Sequence, residues 1–177
     1  MTLVELLIAT VLLVAGGGAL LFGMQYAMAY SDYLRNFQVA MNAVQGKLEE
    51  LSSTEFTTLA TGTAYAAARS AAGQCAGMNE DSNCNGTLNA GEDTNGNGQL
   101  DEPLPGGRLV IRIQPSPPAA TNPTLLDLHV AACWTIRARA FGEDRNCNGL
   151  LDAGEDLNGN GVIDSPAMAS TRVAVAD

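Results

Sequence analysis

Met1-Thr2-Leu3-Val4-Glu5-Leu6-Leu7-Ile8-Ala9-Thr10-Val11-Leu12-Leu13-Val14-Ala15 opens the chain and decides its architecture. Glu5 is the one charged side chain ahead of Asp32. Nothing from Leu6 to Ser31 is charged, and at about 1.5 Å per residue a helix over that stretch is long enough to cross a bilayer of about 30 Å. A carboxylate there is costly in hydrocarbon unless it meets a partner, which makes Glu5 a functional residue by default. The nearest candidate partner is the amine of Met1, on the same chain or on a neighbour.

Past Asp32 the pattern turns amphipathic. Leu34, Phe37, Met41, Val44, Leu48 and Leu51 recur at spacings of three and four, one stripe expected to lie across a sheet. Ser52-Ser53-Thr54 ends the pattern, giving one rod of about 50 residues. Gly16, Gly17, Gly18 and Gly23 interrupt the apolar half, each costing about 1 kcal/mol relative to alanine in a helix interior. They serve either close helix packing through small residues or a stretch where the helix opens. Phe22, Tyr26, Tyr30, Tyr33 and Phe37 also share one ribbon, read as large apolar fillers of gaps between packed elements rather than an electron path.

Thr2, Leu3 and Glu5 with the apolar run through Ala15 resemble the mature N-terminus of type IV pilins and pseudopilins, with Met1 where Phe is more usual. The resemblance covers roughly the first 50 residues and implies a great deal. A prepilin peptidase would cut before residue one and methylate the new amine. The helix would anchor the subunit in the inner membrane before assembly, and Glu5 would then neutralise the Met1 amine of an adjacent subunit in an extracellular filament on the cell surface. By the same analogy residues near 16 to 23 would lose helical structure in the filament, and partner assembly machinery would supply the mechanics. No basic leader precedes Met1 in the sequence, so the processed form is expected.

The formal charge of −10 misleads until it is located. Residues 80–102 hold −6 and residues 143–165 hold −5, which leaves +1 for the rest. Gathered carboxylates point to a cation. Nine Lys and Arg spread over the chain argue against a nucleic-acid surface. Four cysteines, Cys75, Cys84, Cys133 and Cys147, are expected to form two bridges, with three connectivities open. Local pairing, Cys75 with Cys84 and Cys133 with Cys147, would pin each acidic loop to the structure before it. None stands in a C-x-x-C pair, so zinc is disfavoured.

The two acidic windows are a repeat at a fixed offset of 63 residues. Glu80-Asp81-Ser82-Asn83-Cys84-Asn85-Gly86 aligns with Glu143-Asp144-Arg145-Asn146-Cys147-Asn148-Gly149, and the register holds to Asp101 and Asp164. As a cation loop, Asp81, Asn83, Asn85, Thr87, Asn89 and Glu92 take positions one, three, five, seven, nine and twelve, with Gly86 in the sharp turn at six. The second copy gives Asp144, Asn146, Asn148, Leu150, Asp152 and Glu155. A second motif follows each at once: Asp93, Asn95, Asn97 and Asp101, then Asp156, Asn158, Asn160 and Asp164, with Leu104 and Ala167 where an acid belongs at twelve. These loops resemble those of EF-hands, dockerins and thrombospondin type 3 repeats, but no amphipathic helix follows either glutamate, which excludes a groove-opening sensor. The expectation is two to four calcium ions per chain, the second motif of each loop being the poorer site.

Between the loops, Arg108 to Gln114 and Leu126 to Ile136 alternate as strands, and Thr171, Val173 and Val175 suggest a closing strand. A short helix is expected around Tyr65 to Ala72. The fold class expected is α+β: a spine helix over residues 1–53 packed on a small antiparallel sheet in a globular part over 54–177. His129, the one histidine, falls on a polar strand face without catalytic partners. No nucleophile, base or cofactor constellation accompanies the oxygen-rich loops, so an enzyme is the weakest reading. The leading expectation is a major filament subunit stiffened by calcium; the alternatives are a minor pilin or type II secretion pseudopilin, or a membrane-anchored calcium-dependent adhesion module that never polymerises.

Overall fold

A computed structural model describes residues 2–70, 73–78, 80–104, 106–118, 120, 122–136 and 139–175; Met1 lies outside them. The fold is α+β, with two compact units, Met1–Asn36 and Phe37–Asp177. Helix α1, Leu3–Ser53, runs through both.

In the first unit the helix begins where Thr2 turns its hydroxyl back to accept the Glu5 N–H at 3.4 Å. From Leu6 to Met24 its side chains are apolar on all sides but for Thr10, and the unit is open to the surroundings, Leu3 81% and Phe22 76% exposed. Gly16, Gly17, Gly18 and Gly23 are all helical, and a Cβ on any of them would meet nothing within 4 Å. Tyr30 and Tyr33 stack with ring centroids 6.4 Å apart.

In the second unit α1 buries Ala40, Val44 and Leu51 completely. Those positions share one face, so the expected stripe exists but begins later: Leu34, in the first unit, is 41% exposed. The helix stops where the Ser52 and Ser53 hydroxyls donate to the carbonyls of Glu49 and Glu50 at 2.9 and 2.8 Å, satisfying groups that a helix end leaves open. The short helix falls earlier than the sequence pattern suggests, as α2, Phe56–Thr61, followed by a 3-10 turn, Thr63–Tyr65. Gly62 sets the boundary, because a Cβ there would run into the Thr58 carbonyl. Arg69 then closes the connector by donating to the carbonyls of Leu59 and Gly62 at 2.7 and 2.8 Å.

The sheet is antiparallel, with strands β1 Gln74–Gly77, β2 Arg108–Pro115, β3 Leu125–Ile136, β4 Arg139–Phe141 and β5 Met168–Ala174. β1 and β4 are additions to the expected three strands, too short to show alternation. The order is β1-β2-β3, and both β4 and β5 pair with the far side of β3. Leu109, Ile111 and Ile113 pair with Ala132, Val130 and Leu128. All six are nearly or fully buried, together with Leu126 and Trp134. Trp134 stacks on Phe141 at 5.4 Å.

This register fixes where the acidic loops leave. Residues 78–107 connect Gly77 to Arg108, and Arg108 pairs with Cys133. Residues 142–167 connect Phe141, paired with Trp134, to Met168, paired with Ala131. β4 and β5 therefore act as two halves of one edge strand, with the second loop spliced between them. Both loops emerge at the same level of the sheet.

Candidate metal centres in the acidic loops

Each loop is pinned by its own bridge, Cys75–Cys84 and Cys133–Cys147, the local pairing among the three connectivities. Cys84 and Cys147 hold position four at φ of 60° and 50°, a left-handed turn rare outside glycine, and the side chain leaves the loop interior there. Position six needs the same turn with no side chain: Gly86 and Gly149 stand at φ of 73° and 78°.

Most hydrogen bonds of the first loop recur at the same places in the second. Asp81 accepts the N–H groups of Asn85 and Gly86 at 2.9 and 2.8 Å; Asp144 accepts those of Asn148 and Gly149 at 3.1 and 2.8 Å. Asn83 and Asn146 each accept the N–H two residues on, as do Asn85 and Asn148, whose donors are Thr87 and Leu150. The second motifs repeat this pattern, Asp93 accepting from Gly96, Asn97 and Gly98 and Asp156 from Gly159, Asn160 and Gly161. Asn95 and Asn97 donate to Asp101 at 2.5 and 2.7 Å. Asn158 and Asn160 likewise meet Asp164, and Asn146 and Asn148 meet Asp152. In three of the four motifs, the side chains at three, five and nine thus converge on one point. In the fourth, Asn89 at nine turns to Glu92 and to the Thr87 carbonyl.

The contacts of the closing acid differ in origin between the two motifs of each loop. In the first motifs Glu92 accepts from the Ser82 hydroxyl and the Asn89 N–H, and Glu155 from the Arg145 and Asp152 N–H groups. These donors are positions two and nine. In the second motifs Leu104 and Ala167, at twelve, are buried to 1% and 0% exposure in the apolar core. The acid one residue ahead of the first motif makes the corresponding contacts there. Glu80 accepts from Thr94 and Asp101, again positions two and nine, at 3.0 and 2.9 Å. Glu143 accepts from Leu157 and Asp164 at 3.1 and 3.0 Å. Each second motif is therefore as fully supplied with acids as the first. The signal was present in the repeat, which keeps an acid at 80 and 143, but a motif read only forwards from position one has no place for it.

Bonding and burial move three of these carboxyls away from their ordinary values. The Ser82 hydroxyl and then the Asn89 N–H hold Glu92 down to about 2. The Asp101 N–H and then the Thr94 hydroxyl lower Glu80. Asp144 goes the other way: burial raises it, against the pull of the Gly149 and Asn148 N–H groups.

The donors are carboxylates, amides and backbone carbonyls, the hard oxygens that calcium takes six to eight of. All four cysteines are in disulfides. Among the described residues no three His, Cys, Asp or Glu side chains crowd into a metal-holding cluster. Each centre instead combines two or three acids, spread around the loop, with asparagines. That mixture suits calcium and not zinc.

No family model, no curated protein and no solved structure matches this chain.

The remaining predicted positions lie apart from the loops. Glu5 is in the first turn of α1, and its expected partner amine, Met1, is outside the described residues. His129 is half-buried on the face of β3 opposite that of Leu128 and Val130, and burial pushes its imidazole below the ordinary value. On that same face Leu151 and Ile163 of the second loop pack against Val110, Ala131 and Met168. Position eight of the second loop thus anchors it to the sheet.

Proposed function

We propose that this chain is a non-catalytic structural subunit of a type IV pilus-like extracellular filament, assembled through α1 and stiffened by calcium in its two loops. The observation that carries the reading is the apolar first half of α1, which contains a window of mean hydropathy 2.3 with none of it buried, and which has a single carboxylate, Glu5, near its start. A surface of that kind must be covered by lipid or by other copies of the helix, and a lone acid within it requires a cationic partner. In the filament the partner is the amine of a neighbouring subunit's first residue; before assembly the same helix holds the chain in the inner membrane. Open space at Gly16, Gly17, Gly18 and Gly23 within the chain leaves those positions free for close approach by a second helix.

Calcium rests on the four motifs of the loops, each with an acid at position one and a closing acid in Glu92, Glu80, Glu155 or Glu143. The expected count is up to four ions per chain. Metal analysis of washed protein with fewer than one calcium per chain would overturn this part alone.

A second reading has one observation in its favour. Thr2 and Glu5 stand in capping-box spacing, and the Thr2 hydroxyl accepts the Glu5 N–H; Glu5 then serves only to start the helix of a plain anchor. Glu5→Gln separates the two, because glutamine also serves at that capping position but cannot neutralise an amine. Electron microscopy of material sheared from cells expressing the native chain should show continuous filaments containing it, and Glu5→Gln should abolish them while the chain stays in the membrane fraction. Filaments of normal number from the Glu5→Gln chain would sink the charge-pairing role.

A further inference from the structure

The two loops keep one register at an offset of 63 residues, with Arg145, Leu150, Asp152 and Leu157 where the first has Ser82, Thr87, Asn89 and Thr94, yet their surroundings neutralise them differently. In the first loop Arg108, from the start of β2, reaches Asp81 with Nη2 to Oδ2 at 2.7 Å and Glu102 with Nη1 to Oε1 at 2.6 Å. Both partners of the Asp81 contact are nearly closed off, with side chains 10% and 1% exposed. The guanidinium also donates to the Gly107 carbonyl at 2.9 Å and lies close to Gly86, whose added Cβ would sit 3.7 Å from Nη2. Among the described residues the second loop has no counterpart. The residue 63 positions after Arg108 is Thr171, which lies in β5 paired with Leu128. Asp144 is fully buried, and among the described residues no lysine or arginine pairs with it.

We infer that Arg108 is a built-in counter-ion that keeps the first loop folded without calcium, whereas the second loop depends on the bound ion for its order. The inference rests on the calcium reading above and adds a hierarchy to it. A buried carboxylate needs a compensating positive charge, and it is indifferent to whether a guanidinium or a divalent ion provides it. The first loop has that charge on its own chain at fixed distance, so its position-one hydrogen bonds survive chelation. In the second loop the same hydrogen bonds surround an uncompensated charge, and opening the loop to water relieves it. Arg108 is a positioning residue here, acting through Asp81 and Glu102.

Hydrogen–deuterium exchange on the full chain in detergent, in excess calcium and in excess chelator, tests this without any variant. The amides of Asn85, Gly86 and Thr87 should stay protected in chelator, while those of Asn148, Gly149 and Leu150 should exchange at least about tenfold faster once the ion is removed, the signature of local opening. Arg108→Gln should make the first loop behave like the second, protected in calcium and open in chelator, with the β3 amides as the internal reference for an intact sheet. If β3 loses protection in that variant, the wild-type comparison alone decides. Loss of protection in both wild-type loops together, or in the first loop alone, overturns the inference and leaves calcium binding standing. No change in either loop, with no calcium retained in native mass spectrometry, removes the calcium reading and the inference with it.

Discussion

Gly86 and Gly149 hold the same place in the repeat and nearly the same left-handed backbone, but they do not face the same neighbours. A Cβ on Gly86 would meet only Arg108 Nη2, at 3.7 Å, whereas a Cβ on Gly149 would overlap the Cβ and Sγ of Cys75. Alanine at either position therefore incurs the backbone term, about 1–2 kcal/mol for a left-handed L-residue. Alanine at 149 must also displace a disulfide. Gly149→Ala should lower the denaturation midpoint of the folded unit clearly more than Gly86→Ala, measured by urea unfolding in calcium; equal losses would mean that the second loop does not rest on the Cys75 bridge. Glu80 and Glu143 teach a related lesson about single residues. Their type was visible in the sequence, but their role depends on a chain reversal that brings residue 80 beside 94 and 101, and nothing local encodes that approach.

The helix shows the same division over a longer range. Spacing at three and four located the stripe and its end correctly, since 3.6-residue periodicity is a local property of the backbone. The place where burial begins was not local. Leu51 is fully buried and Leu34 is 41% exposed, though both sit on the expected stripe. Leu51→Ala should cost about 2–5 kcal/mol, the range for an emptied core leucine, while Leu34→Ala should change stability by no more than about 0.5 kcal/mol. Chemical denaturation of the two variants, followed by a signal from Trp134, checks this, and comparable losses would contradict the burial boundary. Strands β1 and β4 escaped notice for an opposite reason. They are four and three residues long, shorter than any alternation can register, and exist because β2 and β3 offer them edges.

At the scale of the whole molecule the second loop also covers part of the sheet. Leu151 and Ile163 cover Val110 and Ala131 on the face of the sheet opposite that of Leu128 and Val130, so a loop that opens also uncovers the sheet. Chelation should therefore raise the fluorescence of an apolar-surface dye and expose residues 143–165 to proteolysis, with both effects reversed by added calcium. A loop that is cut in chelator without any gain in dye binding would show that the apolar anchors hold independently of the ion.

What the sequence determined by itself is whatever depends on neighbours close along the chain: the apolar helix and its lone acid, the strand faces, the turn glycines and the register of the repeat. Backbone geometry and side-chain period are short-range physics, and they leave a readable pattern. The tertiary structure alone decided which end of the sheet both loops leave from, that Glu80 and Glu143 bond to the second motifs, and that Arg108 pairs with Asp81. Each of these depends on groups far apart in sequence being brought within a few ångströms, and electrostatic and packing terms act over that distance in space, whatever the separation along the chain.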